Sequence, residues 1–482
     1  MRRGTIIGLA FSLIAAASAL SAGAQPPEKG AHRWTVVFQS ATLPADAAKA
    51  VTRAGGVVTK AIKEAGVLTA AGDAKFAARL AGTRGVLAVG REKSYRLPPL
   101  DTAQTVAETF GTPTTADAGY GLQWNLRRIG APAIWARVPM EVQNQATVAV
   151  LDTGVMHTHR DLAGQLVDAV ATNYCVESES GSYAYPVYSQ LIDFDAHPEW
   201  SPEIGCDPAP KYYASHGTHV AGTVAARFGA GAVVGVAPGL RIAAYKVFDR
   251  YRYTNQEGKL VDDVGAFDGP IFQAIVDAAL KGYDVINMSL GSTIDRSDSG
   301  DNASWLAWDR VAKIANRLGT LIVTSAGNAE QSSNGRIAHV PSDLPTVMST
   351  SATGTSSLQT VDGQLVAAPG SDVLAFYSNY GSAVDVAAPG GDCGPGYPDT
   401  CDADYLILST YIFEDNGAPG YSWMAGTSMA SPHVAAVAAV VRALHPDWTP
   451  GAVRSFLKET AEAIGPRQAF GHGLVSADFA TR

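Results

Sequence analysis

Three polar residues in this sequence, Ser428, His216 and Asp152, are of types that together can break an acyl bond. Ser428 lies in GTSMASPHVAAVAAVV (426–441), just before an apolar run. His216 lies in SHGTHVAGTVAA (215–226), Asp152 ends the apolar stretch VAVLD, and Asn328 ends TLIVTSAGN (320–328). A serine hydroxyl is a poor nucleophile at neutral pH. An imidazole can take its proton and later return it to a leaving amine. A carboxylate behind the imidazole fixes its tautomer and stabilises the imidazolium. Each residue also has a plainer reading. Asp-Thr-Gly and Gly-Asn are good turn chemistry, serine is a common helix cap, and a histidine at a helix start can be satisfied by backbone. Their joint occurrence, in the chain order Asp, His, Ser, favours catalysis.

Such residues need rigid elements behind them. The runs ATVAVLD, RIAAYKVF, DVINMSL and TLIVTSAGN read as buried parallel strands. HGTHVAGTVAAR and GPIFQAIVDAALKG, which lie between them, read as helices. This alternation predicts an α/β domain over 121–482, a mostly parallel sheet with helices on both faces. Sites in such sheets gather at the carboxyl ends of strands, where Asp152 and Asn328 stand. The apolar run behind Ser428 predicts a buried helix with Pro432 in its first turn.

The front of the chain has a different pattern. Residues 33–97 read as strand–helix–strand–strand–helix–strand, from RWTVVFQS to a closing strand GVLAVGREKSYRL, which is a ferredoxin-like α+β order. Residues 25–100 are therefore taken as one unit and 101–120 as an exposed, cleavable linker rich in Pro, Thr, Ala and Gly. Residues 1–24 have Arg2 and Arg3, an apolar stretch and Ala22-Gly23-Ala24, the pattern of a cleaved export signal. A secreted location, extracellular or periplasmic, follows, and export permits disulfides. The four cysteines allow three connectivities, and pairing sequence neighbours gives Cys175–Cys206 and Cys393–Cys401.

The charges are unevenly distributed. Residues 25–100 carry 12 Lys/Arg against 5 Asp/Glu, whereas the body from 101 onward has a net charge of −18. Opposite charges favour docking of the front unit on the body. The acidic body argues against nucleic-acid binding, and no stretch after the leader reads as a stable membrane span.

The motif strings around Asp152, His216, Asn328 and Ser428 resemble those of subtilisin-like serine proteases, the subtilase family. The resemblance covers essentially the whole chain, and the front unit is similar to that family's inhibitory propeptide. It implies a secreted serine endopeptidase made as a self-processing precursor. Ser428 would be the nucleophile, His216 the general base, Asp152 its orienting acid and Asn328 the oxyanion donor. Ser289, Leu290 and Gly291, in DVINMSLGS, would pair with substrate backbone and border the specificity pocket. AEQSSNGRIAHVPSDLP would line that pocket, with His339 where many relatives carry a small residue. Asp161, in THRDL, matches a calcium-ligating position, although Gly229 stands where a partner ligand is expected. No cofactor is required for the chemistry, and structural calcium is a candidate only. The implied partners are protein or peptide substrates and the chain's own propeptide, with a monomeric state. Residues 174–213 and 391–405 look like insertions. The rival reading is a catalytically silent secreted homologue acting as a binding protein. An esterase is a lesser alternative, because acyl-enzyme chemistry also cleaves esters.

Overall fold

The computed structural model describes residues 32–96, 117–174, 176–177, 183–184, 215–254, 260–298, 300–413 and 418–482. The leader, both Cys175 and Cys206, and the linker as far as residue 116 lie outside the described residues.

The front unit runs β1 (His32–Phe38), α1 (Ala47–Arg53), β2 (Val57–Ile62), β3 (Val67–Gly72), α2 (Phe76–Ala81) and β4 (Val86–Arg91). Its four strands form an antiparallel sheet in the order β2-β3-β1-β4, the ferredoxin-like arrangement. Trp34, Val36 and Phe38 alternate on one face of β1 and close over Val51, Phe76 and Leu80 of the two helices. The predicted closing strand is in fact two. After β4 the chain leaves this sheet, and β5 (Ser94–Arg96) adds to the edge of a hairpin in the body.

The body contributes β6 (Thr147–Asp152), β7 (Leu166–Ala171), α3 (Ser215–Ala225), β8 (Arg241–Lys246), β9 (Phe248–Thr254), β10 (Leu260–Phe267), α4 (Asp268–Leu280), β11 (Val285–Met288), β12 (Ser292–Asp295), α5 (Asn302–Leu318), β13 (Leu321–Ser325), β14 (Ile337–Val340), β15 (Met348–Thr355), β16 (Asp372–Leu374), β17 (Val386–Pro389) and α6 (Thr427–Leu444). The main sheet has the order β16-β15-β13-β11-β6-β8-β7, with β17 beside β15. All its pairings are parallel except that of the short β16. β5 pairs with β10, which pairs with β9.

Successive residues of a strand face opposite sides, and here each side meets a helix layer. Val148 and Val150 of β6 pack with α3 and α6, whereas Ala149 and Leu151 pack with α4 and α5. The same alternation decides where the polar residues beyond the strands point. Asp152 continues the even series and faces α3. Asn287 and Ser289, two and four residues after Val285, face α6.

Among the described residues, α6 is the one helix long and apolar enough to span a membrane, yet it is a core helix, fully buried from Thr427 to Val441. Its N-cap is Gly426, so neither Thr427 nor Ser428 caps it, and Pro432 lies in the second turn rather than the first. The front unit packs its sheet against α4 and α5, on the side of the main sheet away from α6. Cys393 and Cys401 form a disulfide that closes a short loop.

Candidate active site

Asp152, the Ser289–Gly291 segment and Asn328 all lie at or just beyond the carboxyl ends of β6, β11 and β13, which are neighbours in the sheet. His216 is the second residue of α3 and Ser428 the second of α6, and these two helices pack on one another. Each polar group is thus carried by a rigid element and delivered to one end of the sheet.

His216 Nδ1 lies 2.7 Å from Asp152 Oδ1, with both residues buried. The same oxygen accepts the Thr153 N–H at 2.7 Å, which fixes the carboxylate plane. The close approach of α3 to the end of β6 needs a glycine at 217. A Cβ there would lie 2.2 Å from the Gly154 carbonyl and 3.0 Å from Asp152 Cβ.

The hydroxyl of Ser428 lies 3.4 Å from the Ser289 carbonyl. Its N–H belongs to the first turn of α6, where a helix supplies no acceptor of its own and the dipole favours negative charge. Asn328 stands beside it. Its Oδ1 accepts the N–H of Thr427 at 2.9 Å and the Thr427 hydroxyl at 2.6 Å. The amide is thereby oriented, and its Nδ2 is buried with no hydrogen-bond partner among the described residues. A buried orphan donor costs about 1–3 kcal/mol. Such a cost is offset when a ligand oxygen arrives.

The predicted substrate segment divides by role. The side chains of Ser289 and Leu290 are buried, and only Gly291 is partly open to solvent. Any contact with a bound chain here must therefore be made by main chain. The Ser289 side chain instead donates to the Ser428 carbonyl at 2.8 Å and contacts Ser431 Oγ at 2.9 Å.

The remaining histidines of the two motifs are structural. His433 bridges Met429 O and Asn125 Nδ2, each at 2.8 Å, and burial lowers its pKa to about 4. His219 reaches the Ile407 and Ser422 carbonyls, and burial lowers its pKa to about 3.

A sequence model of the Subtilase family matches residues 143–473, which contain all four polar residues. The chain belongs to the subtilase family. This subtilase is 33% identical over 279 residues to a thermostable alkaline protease of Halalkalibacterium halodurans, covering 58% of this chain and 61% of that relative. It is 28% identical over 359 residues to Subtilisin BL of Lederbergia lenta, covering 74% of this chain and 98% of the relative. The epidermin leader peptide processing serine protease of Staphylococcus aureus shares its fold, with a TM-score of 0.67 at 21% identity over 94% of this chain and 98% of that one. Membership makes this subtilase a serine endopeptidase with the expected α/β fold.

Asp161 in this subtilase offers one carboxylate, whereas calcium takes six or more oxygen ligands. Asp161 Oδ2 faces the N–H groups of Ala232 and Val233 at 3.3 and 3.4 Å, and His159, the Tyr421 hydroxyl and the Arg160 guanidinium lie nearby, whereas Oδ1 is buried with no hydrogen-bond partner among the described residues. Gly231 packs directly on Asp161 Oδ1, where even a Cβ would come to 1.5 Å. Among the described residues no group of three or more His, Cys, Asp or Glu could hold a metal.

Two members of the site escape motif reading. Thr427 orients Asn328, and the only sequence signal for it is a hydroxyl immediately before the serine. Asn287 donates to Ser289 Oγ at 3.1 Å. Its signal is the period-two spacing to Ser289 along β11.

Proposed function

We propose that this subtilase is a secreted, self-processing serine endopeptidase in which Ser428 is the nucleophile. The observation that carries the reading is the Asp152–His216 contact of 2.7 Å at the strand ends, close to a serine flanked by an oriented asparagine with an unpaired donor. His216 removes the Ser428 hydroxyl proton as Oγ attacks the scissile carbonyl. Asp152 holds His216 in the required tautomer and stabilises the imidazolium. Asn328 Nδ2 and the Ser428 N–H donate to the oxyanion. His216 then protonates the leaving amine, and water hydrolyses the acyl-enzyme by the same route in reverse. The main chain of 289–291 holds the substrate as an added strand.

Residues 25–100 act as a propeptide docked on α4 and α5, and the chain cuts itself between about residues 98 and 122. The leader directs export, and the mature enzyme works as a monomer on protein or peptide substrates. The intact set of four polar groups disfavours the silent-homologue reading. Expression of Ser428→Ala tests it on a gel. The variant accumulates as full-length precursor while the parent chain is processed; full processing of Ser428→Ala would sink the autocatalytic claim.

A further inference from the structure

The Ser428 hydroxyl lies by the Ser289 carbonyl, and the unpaired Asn328 amide lies just after Gly327. A carbonyl attacked by Ser428 and bound by Asn328 must therefore place its own side chain between the segment ending at Gly291 and the segment through Gly327. Both residues are glycines, so this slot has bare walls. Its depth is set by whatever lies between them.

The imidazole of His339, on β14, occupies that space. A Cβ on Gly291 would lie 2.0 Å from His339 Cε1 and 2.4 Å from Nε2, and one on Gly327 would lie 2.7 Å from Nε2 and 3.0 Å from Cδ2. The ring thus spans the gap from wall to wall. It is also fixed in place. β14 pairs with β12, the strand that follows Gly291, and pairs Thr293 with His339. The His339 N–H donates to Asp343 Oδ2 at 2.9 Å, and Nδ1 lies 3.0 Å from Ser342 Oγ. The Ser342 hydroxyl has two acceptors for its own proton, His339 O and Asp343 Oδ1, each at 3.2 Å. With its proton on either of these, it accepts from Nδ1–H. In that tautomer Nε2 presents a lone pair to the slot, with no hydrogen-bond partner among the described residues.

We infer that His339 closes the floor of this slot and restricts the residue supplying the scissile carbonyl to a short side chain, alanine or serine, with the serine hydroxyl able to donate to Nε2. The inference rests on the nucleophile and oxyanion roles proposed for Ser428 and Asn328. Burial lowers the His339 pKa to about 4, so the ring is neutral near pH 7 and gives acidic side chains no ionic attraction. Aromatic and long aliphatic side chains meet a ring that cannot rotate away without breaking the Ser342 contact.

Succinyl-Ala-Ala-Pro-X-p-nitroanilides, with X as Ala, Ser, Leu, Phe or Glu, test this on the processed enzyme. One misplaced methylene is worth about 10–200-fold in kcat/KM, so Ala and Ser should exceed Phe by about 100-fold or more. His339→Gly and His339→Ala, which reopen the slot, should shift the Phe-to-Ala ratio upward by a comparable factor of about 100. Parent enzyme that cleaves the Phe substrate as well as the Ala one, or a ratio unmoved in both variants, overturns the inference. Labelling with a fluorophosphonate separates it from the reading beneath. Failure of Ser428 to label overturns the nucleophile role and this inference with it. Labelled enzyme that is indifferent to X overturns the inference alone.

Discussion

The hydroxyl of Ser289 donates to the carbonyl of Ser428 at 2.8 Å, and that carbonyl is the one α6 cannot satisfy, because Pro432 four residues later has no N–H. A proline inside a helix normally costs about 3 kcal/mol, partly through this orphaned acceptor. Here the acceptor is used to tie the helix to the end of β11. Ser431 and Asn287 meet the same hydroxyl at 2.9 and 3.1 Å, and all these residues are buried. The backbone of Ser428 is thereby registered against the end of β11.

Removing the hydroxyl should cost both stability and catalysis. Ser289→Ala leaves Ser428 O and the Asn287 amide unpaired in a buried setting, a loss of about 1–3 kcal/mol. In denaturant unfolding the midpoint should drop, and kcat should fall more than KM rises. Pro432→Ala restores an N–H to the helix. In that background Ser289→Ala should cost less, with a coupling of about 0.5–3 kcal/mol in a double-mutant cycle. Additive costs would show that Pro432 and Ser289 do not share the carbonyl.

A second prediction concerns Thr427. Its hydroxyl and N–H both hold Asn328 Oδ1, at 2.6 and 2.9 Å, and the hydroxyl also accepts the Gly327 N–H at 3.1 Å, so under the proposed roles it acts on the oxyanion through the asparagine. Thr427→Val keeps the shape and the N–H but removes one of the two bonds. It should lower kcat by about tenfold with little change in KM, and Thr427→Ser should recover most of the loss. Asn328→Ala should lower kcat by about 100–1,000-fold, the scale measured for the corresponding loss in subtilisin. Combining Asn328→Ala with Thr427→Val should add almost nothing further, and a full additional tenfold loss would assign Thr427 a separate task.

How far the sequence reaches is visible in these same residues. The strands carrying Asp152 and Asn328 are continuous apolar runs, as a doubly covered parallel sheet requires, so their ends are legible in the sequence. The front unit was equally legible, since its helices and strands alternate with clear stops. What did not show was tertiary. The departure of β5 from the front sheet depends on an edge offered by β10, some 170 residues later in the chain, and local patterning carries no sign of that pairing. The roles of Ser289 and Thr427 depend on which hydroxyl faces which carbonyl across α6. Gly426, rather than a serine or threonine, is the N-cap of α6.

Docking of the front unit should depend on pH. Glu92 is buried against the start of α4, where Oε1 accepts the Gly269 N–H at 2.8 Å and the Tyr174 hydroxyl at 2.7 Å. Burial raises its pKa to about 7, with Arg33 opposing and Asp268 adding to the rise. The groups facing it are Arg33 of β1, Lys60 of β2, Tyr174, and Asp268 of α4, with Asp249 beyond Lys60. A carboxyl whose docked pKa is raised favours docking most when protonated in both states, below about 4.5. That contribution is lost as pH climbs to about 7, by at most about tenfold in the docking equilibrium per pH unit. Burial lowers Lys60 to about 8, so its charge penalises docking fully below pH 8 and adds no slope between 4.5 and 7. Amide exchange of β1 and β4 in full-length Ser428→Ala, corrected for intrinsic rates, should show opening that grows from pH 5 to 7. Glu92→Gln should flatten that slope. A slope unchanged by Glu92→Gln would assign it to other groups.

The last prediction follows from the fit of α3 against β6. Gly217 is the residue after His216, and its Cα faces the Gly154 carbonyl so closely that a Cβ would come to 2.2 Å. Backbone cannot retreat as a flexible side chain can, so Gly217→Ala must move the start of α3. The helix carries His216, and its 2.7 Å contact with Asp152 tolerates little displacement. Gly217 also donates its N–H to Thr153 Oγ1 at 3.1 Å, a bond that would lengthen with the shift. Overpacking of this kind costs about 1–3 kcal/mol, and a misplaced base of about 1 Å costs about 100-fold in rate. Gly217→Ala should therefore fold with a lowered melting temperature and lose far more kcat than stability. Its fluorophosphonate labelling rate should fall in step with kcat, because both need His216 to take the Ser428 proton. Normal labelling with impaired peptide cleavage would instead place the defect in substrate binding.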